Sequence, residues 1–477
     1  MKVFFSIITF LLISSTFAQN AFIRTYGNPG TFNEGKGIVA FEDTTYILAG
    51  NRETFGGVSS AWLFKVNSSG NIVWERYFDS YNLSNCENLS RHDDTSVVIC
   101  GTVLQGTDYN IFAARVSASG NLLWEKTFGT PEWDQGFCAT SDKYGNVWLT
   151  GYALGNDTAN QDIIIYKIDG ATGDSLLCKR IDGGYDDKGV YIDTTYGDNL
   201  VLASNSHIQS NDSTISRIWR FDFNLDTIWT FSPVRDSADF TINSCLTDTL
   251  HRILAVGSML PDTGIAYRMW YGCINSDGSN AWDIIFPPWY LQNIKRAIVD
   301  SLNRYFMTGS TFSYYFGYGN SDVGHWIDSA GSAYYYYYGG LQEDEGADLD
   351  FAADGGMVFI GTTKSYGPGV TNIFLVKVTG YTVYNESDYA HFTPMPEHQK
   401  KDIVVYPNPA RGEFRINFQS QDKALAQIFN LQGEEVFNSS IYANEPISIS
   451  NLSDGLYMIR VTLSDTFYIL PLLLQNK

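Results

Sequence analysis

A ten-residue phrase, GNLLWEKTFG (Gly120–Gly129), recurs along this chain and constrains its fold more than any other feature. A near copy, GNIVWERYFD (Gly70–Asp79), lies 50 residues earlier. Weaker copies surround Trp229, Trp282 and the tyrosine run Tyr334–Tyr338. Other marks keep the same step. An Asp recurs at Asp43, Asp94, Asp142, Asp193, Asp248, Asp300 and Asp354, with spacings of 51, 48, 51, 55, 52 and 54 residues. A Gly follows at Gly50, Gly101, Gly151, Gly257, Gly309 and Gly361, whereas the fourth repeat reads LVLAS (Leu200–Ser204) there.

Each mark has a physical reading. Asp suits a tight turn because its carboxylate accepts nearby backbone N–H groups. Gly allows a positive φ or a close backbone approach where a strand ends. The stretches between are short and rich in Val, Ile, Tyr, Phe and Trp, which favours strands. Several are apolar at successive positions, such as WLFKV (Trp62–Val66) and IIIYKI (Ile163–Ile168), so both faces are expected to be covered. Four short strands in each unit of about 52 residues, repeated seven times, predict an all-β, seven-bladed β-propeller with four-stranded blades. A single blade leaves two apolar faces open, so the ring must close. The seventh unit has its third strand, IFLVKV (Ile373–Val378), but no phrase after it. RTYG (Arg24–Gly27) matches the tail of the phrase, KTFG (Lys126–Gly129), so the N-terminal strand is expected to complete the last blade. An open β-solenoid, the rival fold, would need no such complementary end.

The phrases also resemble secreted bacterial and archaeal β-propeller repeats that read roughly DGGYIVAG … DIYLIK-D-GN-W-K-FGG. The stretches that carry the resemblance are Asp354–Gly361, Tyr144–Gly151 and Ile111–Gly129. It spans about residues 22–380, clear in blades one, two, three and seven and degraded in four, five and six. The resemblance implies a fold rather than an activity, since propellers host many functions.

The ends carry addresses. Lys2, the apolar run Val3–Leu12, and Thr16 with Ala18 read as a secretory signal peptide over residues 1–18, with Gln19 starting the mature chain. The propeller is expected over 19–380, a polar linker with Pro394 and Pro396 over 381–402, and a last domain over 403–477. Alternating short strands there predict a small β-sandwich. That domain is similar to the type A C-terminal sorting domain of the type IX secretion system of Bacteroidetes. The residues that carry the likeness are Tyr406, Pro407, Asn408, Pro409, Gly412, the Ile428–Gly433 turn, Gly455, Leu456 and Tyr457. The likeness implies Sec export, outer-membrane translocation and cleavage by a sortase-like protease, with release or surface attachment. Pro471 departs from it by removing a ladder N–H from the closing strand.

A formal net charge of -21 argues against a nucleic-acid partner and against docking on an anionic membrane. No apolar run after the leader is long enough to span a bilayer. The six cysteines lack CxxC spacing, so no zinc site is expected. Cys86 and Cys100 flank an expected hairpin turn and are placed for a disulfide, the alternative being buried free thiols. No catalytic motif appears. Acidic clusters at Asp186–Asp187 and Glu343-Asp344-Glu345, with Asp348 near, suit glycoside cleavage or calcium binding; solvated loop acids are the plainer reading. No cofactor or metal is therefore expected. Aromatics gather in loops of one predicted face: Trp133, Trp289, Tyr290, Tyr314, Tyr315, Phe316 and Tyr318. Such rings suit sugar or protein ligands. The sequence thus reads as a secreted or surface binding module for a glycan or surface protein. The alternatives are a polysaccharide hydrolase or lyase using the acidic loops, and a structural matrix protein.

Overall fold

The computed structural model describes residues 21–378 and 404–474, apart from 55, 155–159, 211, 236–237, 262–266, 286–290, 313–320, 330–331, 340–341, 419–422, 431–434, 450–451, 454 and 464–465. Every helix or strand element among the described residues is a β-strand. The chain divides into two compact units, residues 1–392 and 393–477.

In the first unit each repeat becomes an antiparallel four-stranded sheet, seven among the described residues. Six span 32–78, 83–128, 134–181, 186–231, 239–285 and 291–338; the seventh joins 344–378 to the strand Phe22–Tyr26. The first strand of every sheet touches the first strands of the sheets on either side, and the seventh touches the first. These inner strands therefore surround one axis. Both faces of each sheet are apolar, as the unbroken runs require: Ser96–Val103 is buried at every position. The core is accordingly divided. One cluster packs Ile47 and Leu63 against Val97 and Phe112, between the first and second sheets. Another packs Phe306 and Tyr338 against Leu349 and Phe359, between the sixth and seventh. Val358 and Ile373 meet Leu48 and Phe64 where the seventh meets the first. Each buried Val, Leu, Ile or Phe contributes roughly 1.5–3 kcal/mol, so the sheets hold together face to face.

The recurring phrase forms the outer strand, and its Trp fastens one sheet to the next. The indole N–H of Trp74 donates to the Ala118 carbonyl at 3.1 Å, that of Trp124 to Gly170 at 2.8 Å, and that of Trp229 to Ser276 at 3.0 Å. In each case the acceptor lies in the turn before the next sheet's outer strand. The half phrase behaves alike. Phe22–Tyr26 pairs antiparallel with Asn372–Val378, Arg24 opposite Leu375. The Tyr26 hydroxyl then donates to the Gly70 carbonyl of the first sheet at 2.8 Å. The first strand of the unit thus stands as the outer strand of the last sheet.

The recurring Gly has a different reason from the strand end that the sequence suggests. It lies within the second strand, opposite a bulge of the inner strand that is present in all seven sheets. A Cβ on Gly101 would stand 1.9 Å from the Asn85 carbonyl oxygen, and one on Gly151 1.8 Å from that of Gln135. The bulge pushes that carbonyl into the space a side chain would need. In the fourth sheet Ser204, opposite Gly189, holds the position instead.

The recurring Asp is not one structural position. Asp142 and Asp248 open their turns and accept N–H groups two and four residues on. Asp43 sits inside its turn, Asp93 rather than Asp94 accepts the Thr95 N–H, and Asp193 lies on a strand opposite Val201.

The disulfide expected between Cys86 and Cys100 is not formed, and both thiols are free and buried. Their strands are paired, but the side chains leave by opposite faces. Cys86 packs with Ile47 and Leu63 of the first sheet, and Cys100 with Ala139 and Leu149 of the third.

The second unit is one seven-stranded arrangement. Its strands are, in order across it, Glu435–Ile441, Ala424–Phe429, Gly455–Leu463, Thr466–Leu474, Val404–Arg411, Glu413–Asn417 and Pro446–Ser448. A single parallel pair, Ala410 with Leu474, joins the two halves. Phe414, Ile416 and Ile447 of one half share a cluster with Ala426, Ile428 and Ile459 of the other. Pro471 does not interrupt the closing strand: it lies opposite Met458 within a continuous ladder.

Candidate functional site

The bulges that demand the Gly also build the candidate site. A bulge leaves one residue without a cross-strand partner. Here those residues are Lys36, Glu87, Phe137, Val190, Asn243, Lys295 and Ala347, one from each inner strand. All seven line a single axial cavity of about 600 Å³. Its wall is uneven around the axis. Phe137 and Val190 form an apolar arc; Asn243 and Lys295, then Lys36 and Glu87, form polar ones.

Glu34, Glu343, Glu345, Lys364 and Thr371 also line it, and Glu343, Lys364 and Thr371 come from connections between strands. The cavity therefore opens on the face where inner strands begin. Lys36 sits 3.3 Å from Glu34 and 3.4 Å from Glu87. Burial opposes its charge, but the two carboxylates outweigh burial and raise its pKa. Lys364 pairs with Glu343. Lys295 has no ion pair among the described residues.

A buried ion pair lies beside the bulges. Arg296 donates to Asp348 at 2.9 Å, and its guanidinium lies 4.4 Å from the Tyr191 ring centroid. Burial works against its charge, yet Tyr191 and Asp348 keep it protonated, with its pKa raised. Asn88, Tyr191 and Arg296 border both this cavity and a second of about 360 Å³ farther along the axis. The second is lined by Arg91, Asp193, Asp348 and Asp350 among others. Asp350 accepts the Ala40 N–H at 2.9 Å, and Asp193 accepts that of Thr194 at 2.7 Å. Burial pushes the pKa of each up to about 6.

Of the aromatics singled out in the sequence, Trp133 is described. It stands 56 % exposed in the loop before the third sheet, edge-on to Tyr109 at 5.4 Å. It does not line the axial cavity. Trp289, Tyr290, Tyr314, Tyr315, Phe316 and Tyr318 lie outside the described residues. The acidic clusters are not simply solvated. Asp187, Asp344 and Asp348 are buried, and Thr363 and Ser365 donate to Asp344. Only Glu343 and Glu345 of these clusters line the larger cavity. Sequence reasoning missed Lys36, Glu87, Phe137, Lys295 and Arg296. For the first four the available signal was their place just after the residue that faces the recurring Gly, and Arg296 follows Lys295.

In the second unit the motif residues shape the junction of the two halves. The Asn408 carboxamide accepts the Leu473 N–H at 2.9 Å, bonding the 404–411 strand to the closing strand. Gly412 holds φ at 74° in the one-residue turn to Glu413, a left-handed conformation that favours glycine. Its carbonyl accepts the Ile449 N–H at 2.9 Å. Tyr457 is buried and its hydroxyl donates to the Ser453 carbonyl at 3.0 Å, while Gly455 opens the same strand. Pro407 precedes Asn408 as an exposed residue of the 404–411 strand, which Pro409 extends.

No helix among the described residues is long and apolar enough to cross a membrane. No curated protein matches the chain. Among solved structures it is similar to the β-propeller domain of the Trilobed protease from Pyrococcus furiosus, at 12% identity over 78% of this chain and 98% of that chain, with a TM-score of 0.42. It is also similar to an acylaminoacyl peptidase from Pyrococcus horikoshii, at 10% identity over 82% of this chain and 59% of that chain, with a TM-score of 0.45. Residues 404–472 match the family described as the secretion system C-terminal sorting domain. The C-terminal segment is therefore a type IX sorting domain, and the chain is a protein exported to the exterior or outer surface of the cell.

Proposed function

We propose that the first unit is a closed seven-bladed propeller acting as a secreted or surface-held binding module, and that its ligand, a glycan or a protein segment, enters the axial cavity. On this reading residues 1–18 are a signal peptide, 19–380 the propeller, 381–402 a linker and 403–477 a two-layered sorting sandwich. The observation that carries the binding role is the ring of seven bulge residues around one cavity of about 600 Å³. That volume is within the range that small-ligand sites occupy. The wall offers a ligand one apolar arc, at Phe137 and Val190, and an ammonium group at Lys295. Trp133 supplies exposed aromatic surface on the face where the cavity opens. The test is binding of the full-length protein to arrayed glycans and peptides. A ligand found there should be lost in Phe137→Ala and in Lys295→Ala. Equal binding by both variants removes the cavity from the proposal.

A hydrolase is the second reading, favoured by four glutamates, Glu34, Glu87, Glu343 and Glu345, lining the same cavity. Glycoside hydrolysis needs one acid protonated beside one ionised. Lys36 and Lys364 hold three of the four in ion pairs, which leaves no unpaired couple of carboxylates to divide the acid and base roles. Reducing-end release from polysaccharides by the wild type, abolished in Glu345→Gln, would reverse this preference.

A further inference from the structure

Where the third sheet passes to the fourth, three carboxylates converge. Asp162 lies at the start of the third strand Gln161–Asp169, Asp182 follows the outer strand Ser175–Ile181, and Asp187 lies at the start of the next inner strand Asp186–Thr195. One oxygen from each lies within 4.8 Å of the others. Neighbours hold them in place. Gly183 N–H donates to Asp187 Oδ2 at 2.7 Å and Ser206 to Asp187 Oδ1, while Gly184 N–H donates to Asp182 Oδ1 at 2.7 Å. Arg180 Nε donates to Asp162 Oδ2 at 2.5 Å.

The second observation is what these donors leave out. Asp162 is 4 % exposed, and its Oδ1 is buried with no hydrogen-bond partner among the described residues. A buried carboxylate oxygen without a donor is costly unless something positive meets it. The carboxylates crowd each other, and one guanidinium does not balance them.

The register shows that this crowding is not required by the fold. At the passage from the second sheet to the third, the equivalent positions hold Asn110, Gly129 and Asp134. At the closing passage from the seventh sheet to the first they hold Asn372, Gly27 and Asn33. The first of these junctions fills the same space with one amide and one carboxylate and the second with two amides, each beside a glycine whose added Cβ would collide with them. The junction between the third and fourth sheets places a carboxylate at all three positions.

We infer that Asp162, Asp182 and Asp187 form a binding site for one divalent cation, of which calcium fits best. Three carboxylates and one guanidinium leave a formal charge of about -2, which one such ion neutralises. All donors are hard oxygens and the cluster contains neither imidazole nor thiolate, which disfavours zinc and copper. Two buried carboxylates and one exposed carboxylate make an irregular donor set, which suits the looser coordination of calcium over magnesium. The bound ion would tie together three chain segments from two neighbouring sheets. This inference stands apart from the axial cavity and does not depend on it.

The test is calorimetric titration of the full-length protein, stripped with EDTA, using calcium chloride alone and magnesium chloride alone. The expected result is saturable binding of one calcium per chain, weaker binding of magnesium, and a calcium-dependent rise in unfolding temperature. Asp182→Asn, an exposed position, should bind calcium roughly tenfold or more weakly with an unchanged circular dichroism spectrum. Asp134→Asn, at the neighbouring junction, should bind as the wild type does. Absence of both heat and thermal stabilisation in the wild type overturns the inference. So does equal affinity in Asp182→Asn, or a loss confined to Asp134→Asn.

Discussion

Arg296 shows how much one side chain can decide here. It borders both axial cavities, leans on Tyr191, and pairs with Asp348 where each side chain is about nine-tenths buried. Removing one partner of such a pair leaves an uncompensated buried charge, at a cost of about 3–5 kcal/mol. Arg296→Met should therefore lower the unfolding free energy by that order in urea titrations, and Arg296→Met with Asp348→Leu should recover much of it. Asp193 and Asp350 predict a pH dependence. Burial raises both folded pKa values to about 6, above the unfolded value near 4. The folded state thus binds protons more tightly than the unfolded one. The stability these groups contribute is complete below about pH 4 and is lost as pH rises through about 6. Relative to wild type, Asp193→Asn with Asp350→Asn should flatten the fall in stability between pH 4 and 7, by up to about 3 kcal/mol for each group.

Among the elements, the bulged inner strand links fold and site. The same bulge pushes a carbonyl against the recurring Gly and turns one side chain toward the axis. Gly101→Ala should destabilise the protein by about 1–3 kcal/mol, because the obstacle, the Asn85 carbonyl oxygen, is backbone and cannot rotate away. Ser204→Gly should show no comparable gain or loss in the same thermal melts. The sequence displayed the strands, their number and the half phrase at Arg24–Gly27, because those follow from periodic apolar runs and local turn chemistry. It hid the lining. Lys36, Phe137 and Lys295 share no chemistry that repeats, so only their register beside a glycine marks them. It also misled at Cys86 and Cys100. Fourteen positions apart across a hairpin suggested a bond, but the bulge at Glu87 offsets the two strands, and alternation sends the thiols into different cores.

At the scale of the molecule, the two units answer separate questions. The second is an address, and residues 403–477 can be deleted without removing any strand of the first. Cell fractionation of that truncation should find it in the periplasm rather than outside the cell or on its surface. Deleting Ala21–Tyr26 should do the reverse, leaving export intact but exposing the edge of Asn372–Val378, with concentration-dependent association in size-exclusion chromatography. That closing strand has a mechanical consequence. Tension applied from the C-terminal side reaches the first unit through Asn372–Val378, which is laddered on one edge by Met357–Thr363 and on the other by Phe22–Tyr26. To pull it out, two ladders must shear together rather than one peel open. A protein held to a surface by its tail and tugged by flow would carry that load on a strand braced along both edges.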